Sequence, residues 1–171
     1  MSFDFTFRTP DSTRDLKQLV DFLIKQNLGY PRYEDWVQRT EYEMDIGYKT
    51  PIMALSGGKL VGDLIYQPHK QIPRVREIKN LRVHPGFRGR SFAHFMLRQA
   101  EVENLDQYDA LIVDARADQS EVITLFMHNG YVPLGRRALY DVNTMDVVMI
   151  KVLTKKDRKG IIYSARELLL K

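Results

Sequence analysis

One stretch constrains this chain more than any other: residues 77–101, EIKNLRVHPGFRGRSFAHFMLRQAE. An apolar-patterned strand ends at His84-Pro85-Gly86. The loop Arg88-Gly89-Arg90-Ser91 follows, and Phe92, Ala93, Met96, Leu97 and Ala100 then recur at helical spacing. A strand, a tight turn and a helix N-terminus in that order form an anion-binding device. The first N–H groups of a helix have no acceptor within it, and the aligned peptide dipoles leave partial positive charge there. Gly89 permits close backbone approach or a positive φ. Arg88 and Arg90 add forked donors suited to phosphate, and the Ser91 hydroxyl can donate one more hydrogen bond.

The charge distribution singles out the same region. Residues 70–98 hold eight Lys and Arg against one acid, Glu77, a net of +7 in a chain whose total is +4. Residues 151–171 carry a further +5, which leaves the rest of the chain at −8. Basicity this concentrated suggests a polyanionic ligand or partner more than a generally basic surface.

The remaining composition narrows the class. At 171 residues the chain fits one domain with a proper core. No apolar run approaches the roughly 20 residues that span a bilayer. The start, MSFDFTFRTPD, lacks the basic and apolar regions of a signal peptide, so a cytoplasmic protein is expected. Without cysteine there is no disulfide, thiolate metal site or cysteine nucleophile. His69, His84, His94 and His128 show no ligand spacing with acids, so they read as surface or turn histidines and no metal is expected.

Taken in order, Phe3, Phe5 and Phe7 alternate with polar residues as in a half-buried strand. Ser12-Thr13-Arg14-Asp15 fits a capping box before Leu16, Leu19, Val20, Leu23 and Ile24, a helix that should stop near Asn27-Leu28-Gly29. Residues 34–46 suggest a second helix with Trp36, Val37, Thr40 and Met44 on one side. The aromatic residues Tyr30, Tyr33, Trp36 and Tyr42 could line a substrate entrance or pack on a sheet. Residues 51–55 and 60–66 flank Ser56-Gly57-Gly58-Lys59 as a hairpin, and a strand over 75–83 completes three antiparallel neighbours. A helix over 89–105 leads to the apolar run 110–115, expected to lie parallel to 75–83. A short helix over 119–129 precedes a strand pair over 131–139 and 142–153. Residues 154–160 read as a basic linker before a short amphipathic helix. The expected class is therefore α+β: a mixed, mostly antiparallel sheet of about seven strands with a central parallel pair, flanked by helices in three layers. One domain would span 1–153, with the 154–171 tail packed on it.

This element order resembles the GCN5-related N-acetyltransferase (GNAT) family. The family's turn, Arg/Gln-x-x-Gly-x-Gly/Ala, aligns with Arg88-Gly89-Arg90-Ser91-Phe92-Ala93, and Leu81-Arg82-Val83-His84-Pro85 resembles its preceding strand. Ser91 replaces the first glycine of the pair. A second block, Gln119 to Tyr131, looks like the family's Asn-x-x-Ala-x-x-Leu-Tyr-x-Lys-x-Gly-Phe, with Gln119 at the Asn position, Phe126 where many members have Tyr, and Gly130-Tyr131 at the Gly-Phe.

The resemblance implies transfer of an acetyl group from acetyl-coenzyme A to a primary amine. Pantetheine would lie along Leu81, Arg82 and Val83, where a backbone amide could polarise the thioester carbonyl. Pyrophosphate would sit on Arg88, Gly89, Arg90, Ser91, Phe92 and Ala93, and Gln119 and Phe126 would complete the cofactor set. The acceptor would be a small amine or a protein N-terminus or lysine, handled by a monomer or homodimer. An alkyl ammonium has a pKa of about 10.4, so a base must take a proton, and Glu77 is the candidate. Its structural alternative is a strand carboxylate paired with Arg74, Arg76 or Lys79. Phe126 cannot protonate the leaving thiolate as a Tyr would; solvent can, because a thiol of pKa about 8.5 leaves as a stable anion. Tyr140 is a remote substitute. Two competing readings remain at this point: an acyl-coenzyme A-binding regulatory module without turnover, motivated by Phe126 and Ser91, and action on aminoacyl-tRNA, hinted at by the +5 C-terminal segment.

Overall fold

The computed structural model describes residues 4–27 and 29–171. Phe3 and Leu28, expected in the first strand and at the first helix end, lie outside the described residues. The elements are β1 (Phe5–Arg8), α1 (Thr13–Lys25), α2 (Tyr33–Asp45), β2 (Thr50–Ser56), β3 (Lys59–Pro68), β4 (Val75–Val83), α3 (Phe92–Val102), β5 (Ala110–Arg116), α4 (Ser120–His128), β6 (Val132–Asp141), β7 (Thr144–Val152) and α5 (Arg158–Leu169). The strand order is β1-β2-β3-β4-β5-β7-β6. β4 and β5 are the parallel pair, with Val75, Arg76 and Glu77 opposite Ala110, Leu111 and Ile112. The fold is the α+β arrangement expected from the element order. The chain divides into two compact units, one of residues up to 67 with 79–100, the other of 68–78 with 101–171.

In the first unit, Gly57 and Gly58, with φ of 56° and 74°, close the β2–β3 hairpin with the two left-handed residues that a tight hairpin turn demands. Side chains alternate across a strand, and β3 shows both of its faces. Ile65 joins the cluster of Leu19, Val20, Leu23, Tyr33, Val37 and Met44, so that face carries α1 and α2. A Cβ at Gly62 would lie 3.2 Å from the Met96 side chain, so the opposite face carries α3. Ser12 caps α1 as expected, its hydroxyl accepting the Asp15 N–H at 3.2 Å. The α1 stripe is rotated from the expected one: Phe22 is buried and Ile24 half exposed.

In the second unit, α5 lays Ile161, Ile162, Ala165 and Leu169 on a core of Val75, Ala110, Ile112, Leu134, Val148 and Ile150. The basic segment read as a linker is partly this helix: Asp157 accepts the Gly160 N–H at 3.2 Å and starts α5 at Arg158. An acid at that position stabilises the helix N-terminus despite the surrounding lysines.

The helix expected over 89–105 is shorter at both ends. Gly89 and Ser91 have φ of 74° and 64°, which no right-handed helix accepts, and Asn104 at 51° prevents its continuation. Among the described residues, no helix is long and apolar enough to cross a membrane.

Candidate active site

The turn expected to bind an anion belongs to the first unit. β4 ends at Val83, a single 3-10 turn over Pro85–Phe87 follows, and His84 caps it, its Nδ1 accepting the Gly86 N–H at 3.1 Å. His69 plays the same part elsewhere, accepting from the N–H groups of Gln71 and Ile72, both at 3.1 Å. Both are turn histidines, as expected. Among the described residues no group of three or more His, Cys, Asp or Glu could hold a metal ion.

Buried Phe92 anchors the turn. Phe5 meets it edge-on at 4.9 Å, and Phe7 and Phe87 pack at 5.7 and 6.1 Å. The Ser91 carbonyl accepts the Phe95 N–H at 3.0 Å, so the first-turn N–H groups, those of Phe92 and Ala93 among them, have no acceptor inside α3. Arg88 and Arg90 are exposed beside this helix end. Arg88 Nε donates to the Val83 carbonyl at 3.2 Å, and the Arg90 guanidinium lies 5.2 Å from the centre of the Phe87 ring. A Cβ on Gly89 would meet no atom within 4 Å, so the space over the loop is open. Open space, α3 donors and two guanidinium groups fit a pyrophosphate.

Leu81, Arg82 and Val83 are half-buried at the end of β4. Behind them lies a buried polar chain: Asn80 Nδ2 donates to Asp63 Oδ2 at 2.6 Å, Arg82 Nε donates to Asn80 Oδ1 at 3.0 Å, and the Arg82 guanidinium lies 5.1 Å from the centre of the Tyr33 ring. Asp63 is fully buried and its Oδ1 has no hydrogen-bond partner. Burial pushes its carboxyl up to about 7, against the opposing hydrogen bond from Asn80 and charge of Arg82. Of the aromatic residues expected either at an entrance or in packing, Tyr33 packs: it is buried, and its hydroxyl donates to the Leu23 carbonyl at 2.6 Å. Tyr42 is exposed.

The second unit holds the other candidates. Glu77 lines a solvent-open cavity of about 230 Å³ together with Asp114, Tyr140, Arg137, His69 and Gln71, with Ile112, Val148, Leu168 and Leu169 of β5, β7 and α5 on its apolar side. Glu77 shares its strand face with Val75, as Asp114 does with Ile112, which places both acids on the side that α5 covers. The Tyr140 hydroxyl donates to Asp114 Oδ1 at 3.1 Å. It is held above the usual phenol range by desolvation of its hydroxyl, reinforced by the charges of Asp114, Glu77 and Asp146. Arg74, one expected partner of Glu77, is committed to Asp109 at 2.9 Å, and Arg76 lies under the Tyr108 ring. Asp114 was missed from sequence because it sits in an apolar run; an acid inside an otherwise apolar, covered strand was the signal.

Gln119 stands at the N-terminus of α4 without a side-chain capping bond. Phe126 is 2% exposed and packs edge-on against Tyr131 at 5.2 Å. The Tyr131 hydroxyl is buried without a hydrogen-bond partner, close to the Lys151–Glu101 ion pair of 2.7 Å. Burial, then the Glu101 charge, raises it above the usual phenol range.

Comparison with known proteins places this geometry. None of the curated protein sequences matches the chain. Among solved structures, a protein from Desulfovibrio desulfuricans assigned to the GNAT family superposes with a TM-score of 0.78 at 12% identity, over 88% of this chain and all of the other. The ribosomal-protein-S18-alanine N-acetyltransferase of Escherichia coli gives 0.73 at 16% identity, over 91% of this chain and 97% of the other. An aminoglycoside 6'-N-acetyltransferase complexed with coenzyme A gives 0.71 at 15%, over 88% and 98%. At these identities the likeness is one of fold. The sequence itself matches the profile described as the Acetyltransferase (GNAT) family over residues 16–131, more than half of its length. The chain therefore belongs to the GNAT family of acetyltransferases, enzymes that use acetyl-coenzyme A.

Proposed function

We propose that this protein acetylates a primary amine directly, with Arg88 to Ala93 holding the pyrophosphate of acetyl-coenzyme A and Leu81 to Val83 offering backbone groups to the pantetheine. The expected contacts of Gln119 and Phe126 belong to the same reading; buried Phe126 would serve as an apolar wall. Bound acetyl-coenzyme A supplies the thioester. The protein supplies orientation, a donor for the carbonyl oxygen from the β4 backbone, and a base.

One observation supports the amine acceptor above the others: two carboxylates, Glu77 and Asp114, line one small cavity. An alkyl ammonium entering it meets two negative groups, and one of them can take the proton that must leave before nitrogen can attack. Glu77 is proposed as that base. Asp114, hydrogen-bonded by Tyr140, holds the ammonium in place. The amine nitrogen then bonds to the acetyl carbon, the carbon–sulfur bond breaks, and the thiolate leaves to be protonated by solvent.

Solved neighbours named for spermidine, aminoglycoside and ribosomal-protein acetylation span small and protein amines, and the acceptor here belongs to one of those classes. The reaction is expected to run in the cytoplasm. Amine-dependent release of free thiol tests it. Glu77→Gln should lower turnover by roughly a hundredfold and remove the acidic limb of the pH profile. An unchanged profile returns Glu77 to a strand carboxylate, and binding of acetyl-coenzyme A without thiol release from any amine leaves the regulatory reading.

A further inference from the structure

Resting on acetyl transfer to an amine, we infer that the acceptor is a small zwitterion, an amine that carries its own carboxylate, and that Arg137 reads that carboxylate. The cavity that holds Glu77 and Asp114 is also lined by Arg137, on β6. A site for a simple cation has no use for a guanidinium. It would repel the ligand that the two acids attract.

Arg137 is exposed, and one of its donors is held by the fold. Its Nη1 donates to the Leu169 carbonyl at 2.8 Å, in the last turn of α5. That contact uses one of the five donors of a guanidinium. Among the described residues, no carboxylate lies within ion-pair distance of it. The acid across the strand pair, Asp146, is 2% exposed and accepts the Leu139 N–H at 3.1 Å. The remaining donors suit the planar, bidentate geometry of a carboxylate.

Size and lining complete the description. Ligand sites for drug-sized molecules are commonly about 300–1,000 Å³, and this cavity is about 230 Å³. A cube of that volume is about 6 Å on edge, a span that a few carbons bridge between an ammonium at the acids and a carboxylate at Arg137. Ile112, Val148, Leu168 and Leu169 offer that short aliphatic body an apolar wall. A polyamine would set its second cation against Arg137. A free amino acid satisfies both charges at once.

The test compares matched acceptors at fixed acetyl-coenzyme A, following thiol release: the common amino acids, their carboxamides, and the corresponding decarboxylated amines. At least one amino acid should exceed its carboxamide in kcat/KM by about tenfold or more, the loss expected when a charged hydrogen bond has no partner. Arg137→Gln should collapse that ratio toward one, chiefly through KM, and Arg137→Lys should restore part of it. Melting curves confirm that both variants fold, and the wild-type comparison stands without them. Carboxamides or simple amines used as well as the acids, or a ratio unmoved by Arg137→Gln, would overturn the zwitterion while leaving amine acetylation intact. No thiol release from any acceptor would overturn both.

Discussion

At the scale of single residues, Ser91 is the most instructive. The family pattern has glycine there, and the backbone of this chain keeps the left-handed conformation that glycine favours, at φ 64°. A non-glycine residue in that region costs roughly 1–2 kcal/mol, while glycine returns about 0.4–1 kcal/mol by widening the unfolded ensemble. Ser91→Gly should therefore stabilise the protein by about 0.5 kcal/mol, read as a higher urea midpoint at unchanged m value. The departure from the motif is legible in the sequence, but its conformation is not, because a serine does not announce a positive φ. Asp114 shows the opposite case. Its identity was plain, yet its role depends on Tyr140, 26 positions away, reaching it across the fold.

Among the elements, those set by local chemistry were legible and those set by packing were not. The spacing of α1, the double glycine of the β2–β3 turn and the apolar run of β5 each name their structure. The start of α3 does not, since it is fixed by two left-handed residues; the amphipathic stripe of α5 was legible, but its start at Arg158 was hidden by the lysines around its cap, Asp157. The closeness of β3 to β4 was equally hidden. A Cβ on Gly62 would lie 2.8 Å from the Arg82 carbonyl oxygen, which is backbone and cannot rotate away. Gly62→Ala should force β4 aside, destabilise the protein by about 1–3 kcal/mol, and weaken acetyl-coenzyme A binding through residues 81–83. Equilibrium unfolding and a binding titration check the two effects. Loss of stability with full affinity would separate this contact from the cofactor strand.

For the molecule as a whole, two buried acids set opposite limits on stability. The carboxyl of Asp15, hydrogen-bonded by Arg8 at 2.5 Å, is held down at about 2, so its contribution is present above the usual carboxylate pKa and is lost as pH falls toward 2. Asp63 is raised to about 7. Its folded form holds a proton that the unfolded chain releases near pH 4, so stability falls as pH rises from about 4 to about 7, by on the order of 4 kcal/mol at most. Maximum stability is expected near pH 4–5, and Asp63→Asn should flatten the decline toward neutrality in pH-dependent urea melts. The net +7 over residues 70–98 is not one patch, since Arg74 pairs with Asp109 and Arg82 donates a hydrogen bond to Asn80; the pyrophosphate of the cofactor is the proposed counterpart of Arg88 and Arg90. The most direct test is thermal: the melting temperature measured against rising coenzyme A and, in parallel, rising pantetheine, which lacks the pyrophosphate. Coenzyme A should raise it progressively, corresponding to about 2.7 kcal/mol at a hundred times the dissociation constant, and pantetheine should do far less. Equal shifts, or none with coenzyme A at millimolar concentration, would contradict a pyrophosphate held at Arg88 to Ala93.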